Sequence, residues 1–166
     1  MAKVNGGTVE FKADEFMLMA TQTAVTAMKK ATIYSQGVAK DMIGGVGTGR
    51  LYRKRKQKGK RGSFKASDFH RASSPGDPPA RDTGILAASV SYTVETKGLS
   101  VVGRVGSDID KIRSKSSTTD PEYGLYLELG VNDPKRNLII EERPWLRPTR
   151  IKAKPYIDKL FRSAFK

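Results

Sequence analysis

Between residues 44 and 82 the chain offers almost nothing that could fill a core, and that fixes where its folded part has to come from. Gly44, Gly45, Gly47 and Gly49 open the stretch, a basic run follows, and SSPGDPP closes it. An excursion of this length without core-forming residues is uncommon inside a compact domain and is usually functional or disordered. Pro75, Pro78 and Pro79 bias its end toward extended, polyproline-like backbone, which makes a semi-rigid arm. The core must be assembled from the segments on either side.

Upstream, residues 14–43 read as one long helix. Apolar or small residues recur at Phe16, Ala20, Thr23, Ala27, Ala31, Tyr34, Val38 and Met42, spacings of three and four that mark a single helical face. Asp14 is placed to cap the start and Gly44-Gly45 to stop the end. Gly37 inside the pattern costs about 1 kcal/mol relative to Ala, which makes it the point for a bend or a fray. The face is lined with Ala and Thr rather than Leu, which suits close packing against a sheet or a neighbouring subunit.

Downstream, Asp82 or Thr83 is placed to cap a short helical turn through GILAAS. Val90, Tyr92 and Val94 alternate with polar residues as a half-buried strand, Lys97-Gly98 turns the chain, and Leu99, Val101, Gly103 and Val105 alternate back until Gly106. The polar stretch 107–119 is expected to be loop. Asp120-Pro121 is a helix start, with Asp as cap and Pro in the first turn. Tyr123, Tyr126 and Leu127 share that helix's face and Gly130 stops it. Residues 131–137 are expected to be loop and 138–140 a strand. After Trp145 a terminal helix carries Ile157, Leu160, Phe161 and Ala164 as its apolar stripe, with Pro155 predicting a kink or a new start. The expected fold is α+β in one domain: a long N-terminal helix and C-terminal helices packed on a small antiparallel sheet, with a long basic loop.

Composition narrows the function. The chain has 166 residues, 37% of them apolar and 29% charged, with a mean hydropathy of -0.50. One modest core fits that size. No apolar run approaches the roughly 20 residues needed to cross a bilayer, so no membrane partner is expected. MAKVNGGTVEF lacks the apolar stretch of a signal peptide, and without cysteine there is no disulfide framework. A cytoplasmic product, packaged later into a particle, is the expectation. The net charge is +14. Arg50, Arg53, Lys54, Arg55, Lys56, Lys58, Lys60, Arg61 and Lys65 form a run with no acid between them, which favours a polyanionic neighbour: DNA, RNA or an acidic protein surface. Tyr52 and Phe64 flank the run but are too few and too far apart for a base-stacking platform, so a DNA contact there is to the backbone and salt-sensitive. A solvated loop and a loop threaded onto a neighbouring subunit are the competing readings.

Catalytic chemistry is poorly supported, and no cofactor or metal is expected. His70 is the single histidine, in the arm beside Arg71, with no Cys or second His to build a metal site. Ser73 and Ser74 are near it, but neighbours on an arm are not a preorganised triad. GGVGTGR lacks the Lys-Ser/Thr that ends a phosphate-binding loop and follows a helix rather than a strand. Glu141 and Glu142, adjacent on a strand, point to opposite faces, and Asp108 and Asp110 read as surface charge. Glu128 stands among apolar helix residues. It is read either as an ion-pair partner of Arg143 or Arg147, or as part of a solvated helix face. Trp145, between Arg143-Pro144 and Arg147-Pro148, is a core anchor by its size. With the two arginines it is also a candidate for a seam between protomers.

Three segments stand in a fixed order: HRASSPGDPPARDTGILAASVSY at 70–92, YGLYLELG at 123–130 and RPWLRPT at 143–149. That order resembles the neck or tail-completion family of long-tailed bacteriophages, over roughly residues 50–150. The resemblance implies a non-enzymatic virion protein that forms a homo-oligomeric ring where the head meets the tail, around the channel through which DNA leaves. Six copies would match tail symmetry and twelve the portal side. It also implies adjacent head-completion or connector proteins and tail-terminator proteins as partners, and a virion location after assembly in the host cytoplasm. A closed ring needs a heterologous interface. The candidates are the 121–129 helix with RPWLRPT on one side (Tyr123, Tyr126, Glu128, Arg143, Trp145, Arg147) and the 70–86 arm with Pro75, Pro78 and Pro79 on the other. The alternative expectation is a basic, non-sequence-specific nucleic-acid-binding module, which accounts for the charge but not for the arm or RPWLRPT.

Overall fold

The computed structural model describes residues 13–53, 69–115, 119–120 and 122–166. Lys54, Arg55, Lys56, Lys58, Lys60, Arg61, Phe64, Lys65 and Pro121 lie outside the described residues. The fold is α+β, and the long helix, α1, runs Ala13–Ile43 without interruption at Gly37. Asp14 sits in its first turn rather than at the cap. Ala27, Ala31, Val38, Ala39 and Ile43 are the buried apolar positions, so the inward face is made of small side chains that let other elements approach closely. Hydroxyls on this helix bond back to carbonyls one turn earlier: Thr21 to Met17 at 2.8 Å, Thr26 to Gln22 at 3.0 Å, Thr32 to Met28 at 2.9 Å and Ser35 to Ala31 at 2.8 Å.

Two elements flank α1. The expected hairpin is present as β3 (Val90–Lys97) and β4 (Ser100–Ser107), in register from Val90 opposite Ser107 to Lys97 opposite Ser100. Val90 is buried, Val94 half-buried, and Tyr92 stays exposed. Gln36 Nε2 donates to the Val90 carbonyl at 2.8 Å and pins the hairpin to the helix. Gly103 makes the contact close, because a Cβ there would fall 2.5 Å from Thr32 Cγ2 and 2.7 Å from Met28 Sδ. On its other flank α1 meets the terminal helix, α5 (Leu146–Ala164), which runs antiparallel to it. Tyr34 stacks on Tyr156 with ring centroids 4.0 Å apart, while Met19 and Gln22 face Leu160 and Ala164.

Pro155 neither breaks nor restarts α5, contrary to expectation. Packing along α1 holds the helix through a position where Ile151 has no N–H to accept. Replacing Pro155 with Ala restores that donor and is expected to raise stability by about 1–3 kcal/mol. The check is a higher denaturation midpoint at unchanged m-value; a lower midpoint would mean the ring itself packs against something.

The sheet content differs from the expectation of one small sheet. Among the described residues there are three separate antiparallel pairs. Besides β3–β4, β1 (Leu51–Arg53) pairs with β2 (Phe69–Arg71), and β5 (Val131–Asp133) pairs with β6 (Leu138–Ile140). The 44–82 excursion is therefore not structureless throughout, since a hairpin base brings the ends of its basic run together. Residues 131–133 are strand, not loop. Asp133 Oδ1 accepts from the backbone N–H of Lys135 and Arg136 at 3.0 and 3.3 Å, building the tight turn that joins the pair.

Two helical corrections follow. The turn through GILAAS is α2 (Ile85–Ser89), but its cap position is Gly84, at φ 78°. Thr83 contributes only a long bond, its Oγ1 accepting from Ile85 N–H at 3.4 Å. Residues 109–115, expected as loop, form α3 (Ile109–Lys115). Asp108 Oδ1 accepts from the N–H of Asp110 and Lys111, and Ile112 drives into the core at 1% exposure. The Asp120 start holds in part, with its carboxylate accepting from Glu122 N–H at 2.9 Å before α4 (Tyr123–Leu129) begins. The core cluster, Ala39, Ile43, Leu86, Val90, Leu127 and Trp145, sits where α1, α2, α4 and the start of α5 converge.

Candidate interaction surface at the C-terminal end of α1

The arm is clamped from two sides. On one side, Gly49 N–H donates to the Ala72 carbonyl at 2.8 Å and Ala72 N–H to the Arg50 carbonyl at 3.0 Å. Thr48 Oγ1 donates to Asp77 Oδ2 at 2.7 Å and accepts from Ser74 N–H at 3.0 Å. On the other, Gly76 N–H donates to the Glu142 carbonyl at 2.9 Å, and Arg143 Nε donates to the Ser73 carbonyl at 3.1 Å. GGVGTGR is thus a backbone-packing segment: a Cβ on Gly47 would collide with the Arg71 carbonyl, and one on Gly49 would lie 2.9 Å from that of Ser73. Gly47→Ala is expected to lift the arm and cost about 1–3 kcal/mol. Faster amide exchange at Ala72 and Gly76 than in α1 would check it.

The second clamp is Glu128. Its carboxylate, 6% exposed on α4, accepts from three backbone N–H groups at the start of α5: Trp145 at 2.6 Å, Leu146 at 2.7 Å and Arg147 at 3.0 Å. Trp145, at the cap position of α5, offers no capping side chain, so the cap comes from a different helix. Arg147 completes the arrangement, with Nε 3.3 Å from Glu128 Oε1 and Nη2 donating to the Glu128 carbonyl at 2.7 Å and to Glu142 Oε2 at 2.8 Å. The Glu142 bond, with help from Glu128, pushes the Arg147 guanidinium further toward its charged form. Of the two readings of Glu128, the ion pair is the one the geometry has, with Arg147 as partner. Arg143 goes instead to Ser73 and to the Glu141 carbonyl.

Trp145 is 1% exposed and donates from Nε1 to the Gly124 carbonyl at 3.0 Å. Its ring is a core anchor. Burial takes Trp145, Glu128 and Pro79 off any surface a neighbour could touch, which corrects their placement at a protomer seam. Pro75 is exposed on the arm's turn, Pro78 is half-buried, and Arg147 is exposed. Tyr126 is half-buried and donates its hydroxyl to Glu122 at 2.8 Å; that bond raises its pKa above the ordinary value.

What remains open is a groove around Tyr123. A cavity of about 520 Å³ lies between β2, the arm, α4 and β6, walled by Tyr52, His70, Pro79, Tyr123, Ile139 and Arg143. A second, of about 320 Å³, continues it toward Ile43, Ile85, Leu86 and Ile112. The two share Pro79, Ala80, Asp82, Tyr123 and Leu127. Burial in this groove raises the Tyr123 phenol above its ordinary pKa, opposed by Arg143. The helix and RPWLRPT on one side and the arm on the other, expected to meet across a subunit boundary, thus stand beside each other on one wall system in one protomer. Ile139, exposed by 73%, and Tyr52 were absent from the expected set; a three-residue strand and a residue next to a charged run carry no sequence signal of a groove.

Among the described residues no group of three His, Asp or Glu side chains could hold a metal, and no helix is long and apolar enough to cross a membrane. His70 Nδ1 lies 3.9 Å from Asp82 Oδ1, while the Ser73 hydroxyl is sealed from solvent without a hydrogen-bond partner among the described residues. Arg50 lies over the Tyr52 ring at 5.6 Å, at the foot of the basic run; of Arg53 only the backbone, in β1, is described. Compared with models of protein families, with curated proteins and with solved structures, the chain finds no match.

Proposed function

We propose that this chain is a structural, non-enzymatic subunit of the neck of a long-tailed bacteriophage. It assembles into a ring at the head–tail junction and helps to join tail to head around the DNA channel. The observation that supports an assembly subunit best is the balance of apolar surface. Among the described residues, seven apolar side chains larger than Ala are buried, from Val38 to Trp145, while twenty large ones are exposed, from Phe16 to Phe165. An excess of that kind marks surface reserved for partners. By the family resemblance, six copies match the tail and twelve the portal, with a head-completion or connector protein on one side and a tail terminator on the other. The test is electron microscopy of a lysate from a phage with a nonsense mutation in this gene. DNA-filled heads beside unattached tails are expected; normal infectious virions would sink the reading.

The basic run favours a second reading, a sequence-independent nucleic-acid-binding module. The cation–π pair of Arg50 on Tyr52 places a guanidinium at the foot of the run. On this reading the isolated protein binds duplex with a steep salt dependence, and deleting residues 54–61 removes that binding.

A further inference from the structure

We propose that the first turns of α1, residues Phe16 to Met19, insert into the groove around Tyr123 of the next copy of the chain, so that each subunit is a plug at one end and a socket at the other. The inference rests on the ring reading and names the two surfaces that make the ring.

The plug is defined by its all-round character. Phe16, Met17, Leu18 and Met19 are consecutive, so at about 100° per residue they face every side of the helix. They are 53%, 40%, 62% and 61% exposed. A helix that is apolar all round belongs in a surround, not against a single wall. The chain's own α5 stops at Ala164, beside Met19 and Gln22, and the turns before that point overhang it.

The socket is defined by position. Ile43, the last residue of α1, lines the inner end of the groove. From Phe16 to Ile43 the helix rises about 40 Å, so plug and socket stand at opposite ends of one continuous element. The groove is walled mostly by apolar side chains, Tyr52, Tyr123, Leu127, Ile139 and Ile140 among them, with Ile139 left at its rim. Both surfaces anticipated from sequence lie at this one end, so the patch that complements them has to be elsewhere on the molecule. A contact between two different patches on opposite ends is heterologous, the kind that closes into rings.

The absence of cysteine makes the test clean. The full-length double variant Leu18→Cys, Ile139→Cys is oxidised and run without reductant. The two sites are too far apart to join within one chain, since a disulfide needs Cα atoms within about 7 Å. A ladder of linked dimers, trimers and larger species, lost on reduction and missing from each single variant, is expected. Linked dimers from Leu18→Cys alone would mean that the turn meets itself, and would overturn the proposal. No ladder from a double variant that sedimentation shows to be assembled would overturn the socket while leaving the ring standing, and a monomer at every concentration would overturn both. A second variant, Leu18→Glu with Met19→Glu, leaves the protomer core untouched. It is expected to give monomers with unchanged helical circular dichroism, and persistent assembly would contradict the plug.

Discussion

Trp145→Ala is expected to cost about 3–5 kcal/mol, because it empties the centre of the core and orphans the carbonyl of Gly124. For a chain of this length that lowers Tm by roughly 10–15 °C. The indole is the largest fully buried side chain among the described residues, and it touches both α4 and the start of α5. Trp145→Phe separates the two contributions: it keeps most of the ring contact and loses the N–H, so its cost should be less than half that of Ala. Paired thermal melts read the difference. Equal losses for Phe and Ala would put the hydrogen bond, not the packing, at the centre of the anchor.

Glu128→Ala is expected to cost as much, about 3–5 kcal/mol, since a buried acceptor serving three N–H groups and a guanidinium disappears at once. Arg147→Ala should cost only about 1 kcal/mol, because the arginine is exposed and the backbone N–H groups still hold the carboxylate. That asymmetry separates a helix cap from a salt bridge. If urea titrations gave the two variants equal losses, Glu128 would be acting through its arginine and the cap would be incidental. Added salt should change the wild-type midpoint little for the same reason.

The parts of the fold that follow from local chemistry were legible. The 3.6-residue spacing of small residues gives α1, alternation gives β3–β4, and Asp120 and Gly130 bracket α4. What escaped is non-local. Helix α3 carries one buried side chain, Ile112, in an otherwise polar stretch, and its Asp108 start was the single cue. Strand β5 is three residues long and exists through pairing with β6. Glu128 could be picked out as an apolar-flanked acid, but its partners lie seventeen to nineteen residues away and are backbone groups, which no side-chain pattern announces. The arm was readable as stiff from its prolines; that it lies alongside α4 instead of opposite it depends on Thr48, Glu142 and Arg143, which sit in three different segments.

The back-bonded hydroxyls of α1 have a consequence for how that helix can be covered. Thr21, Thr26, Thr32 and Ser35 have already spent their protons on carbonyls of their own helix. When a neighbour closes over such a residue, no donor is stranded, and the penalty of about 1–3 kcal/mol for an unmet buried polar group does not arise. By composition the helix is mixed and soluble; toward an approaching subunit it is dry, and water can leave it without a replacement donor or acceptor having to be found.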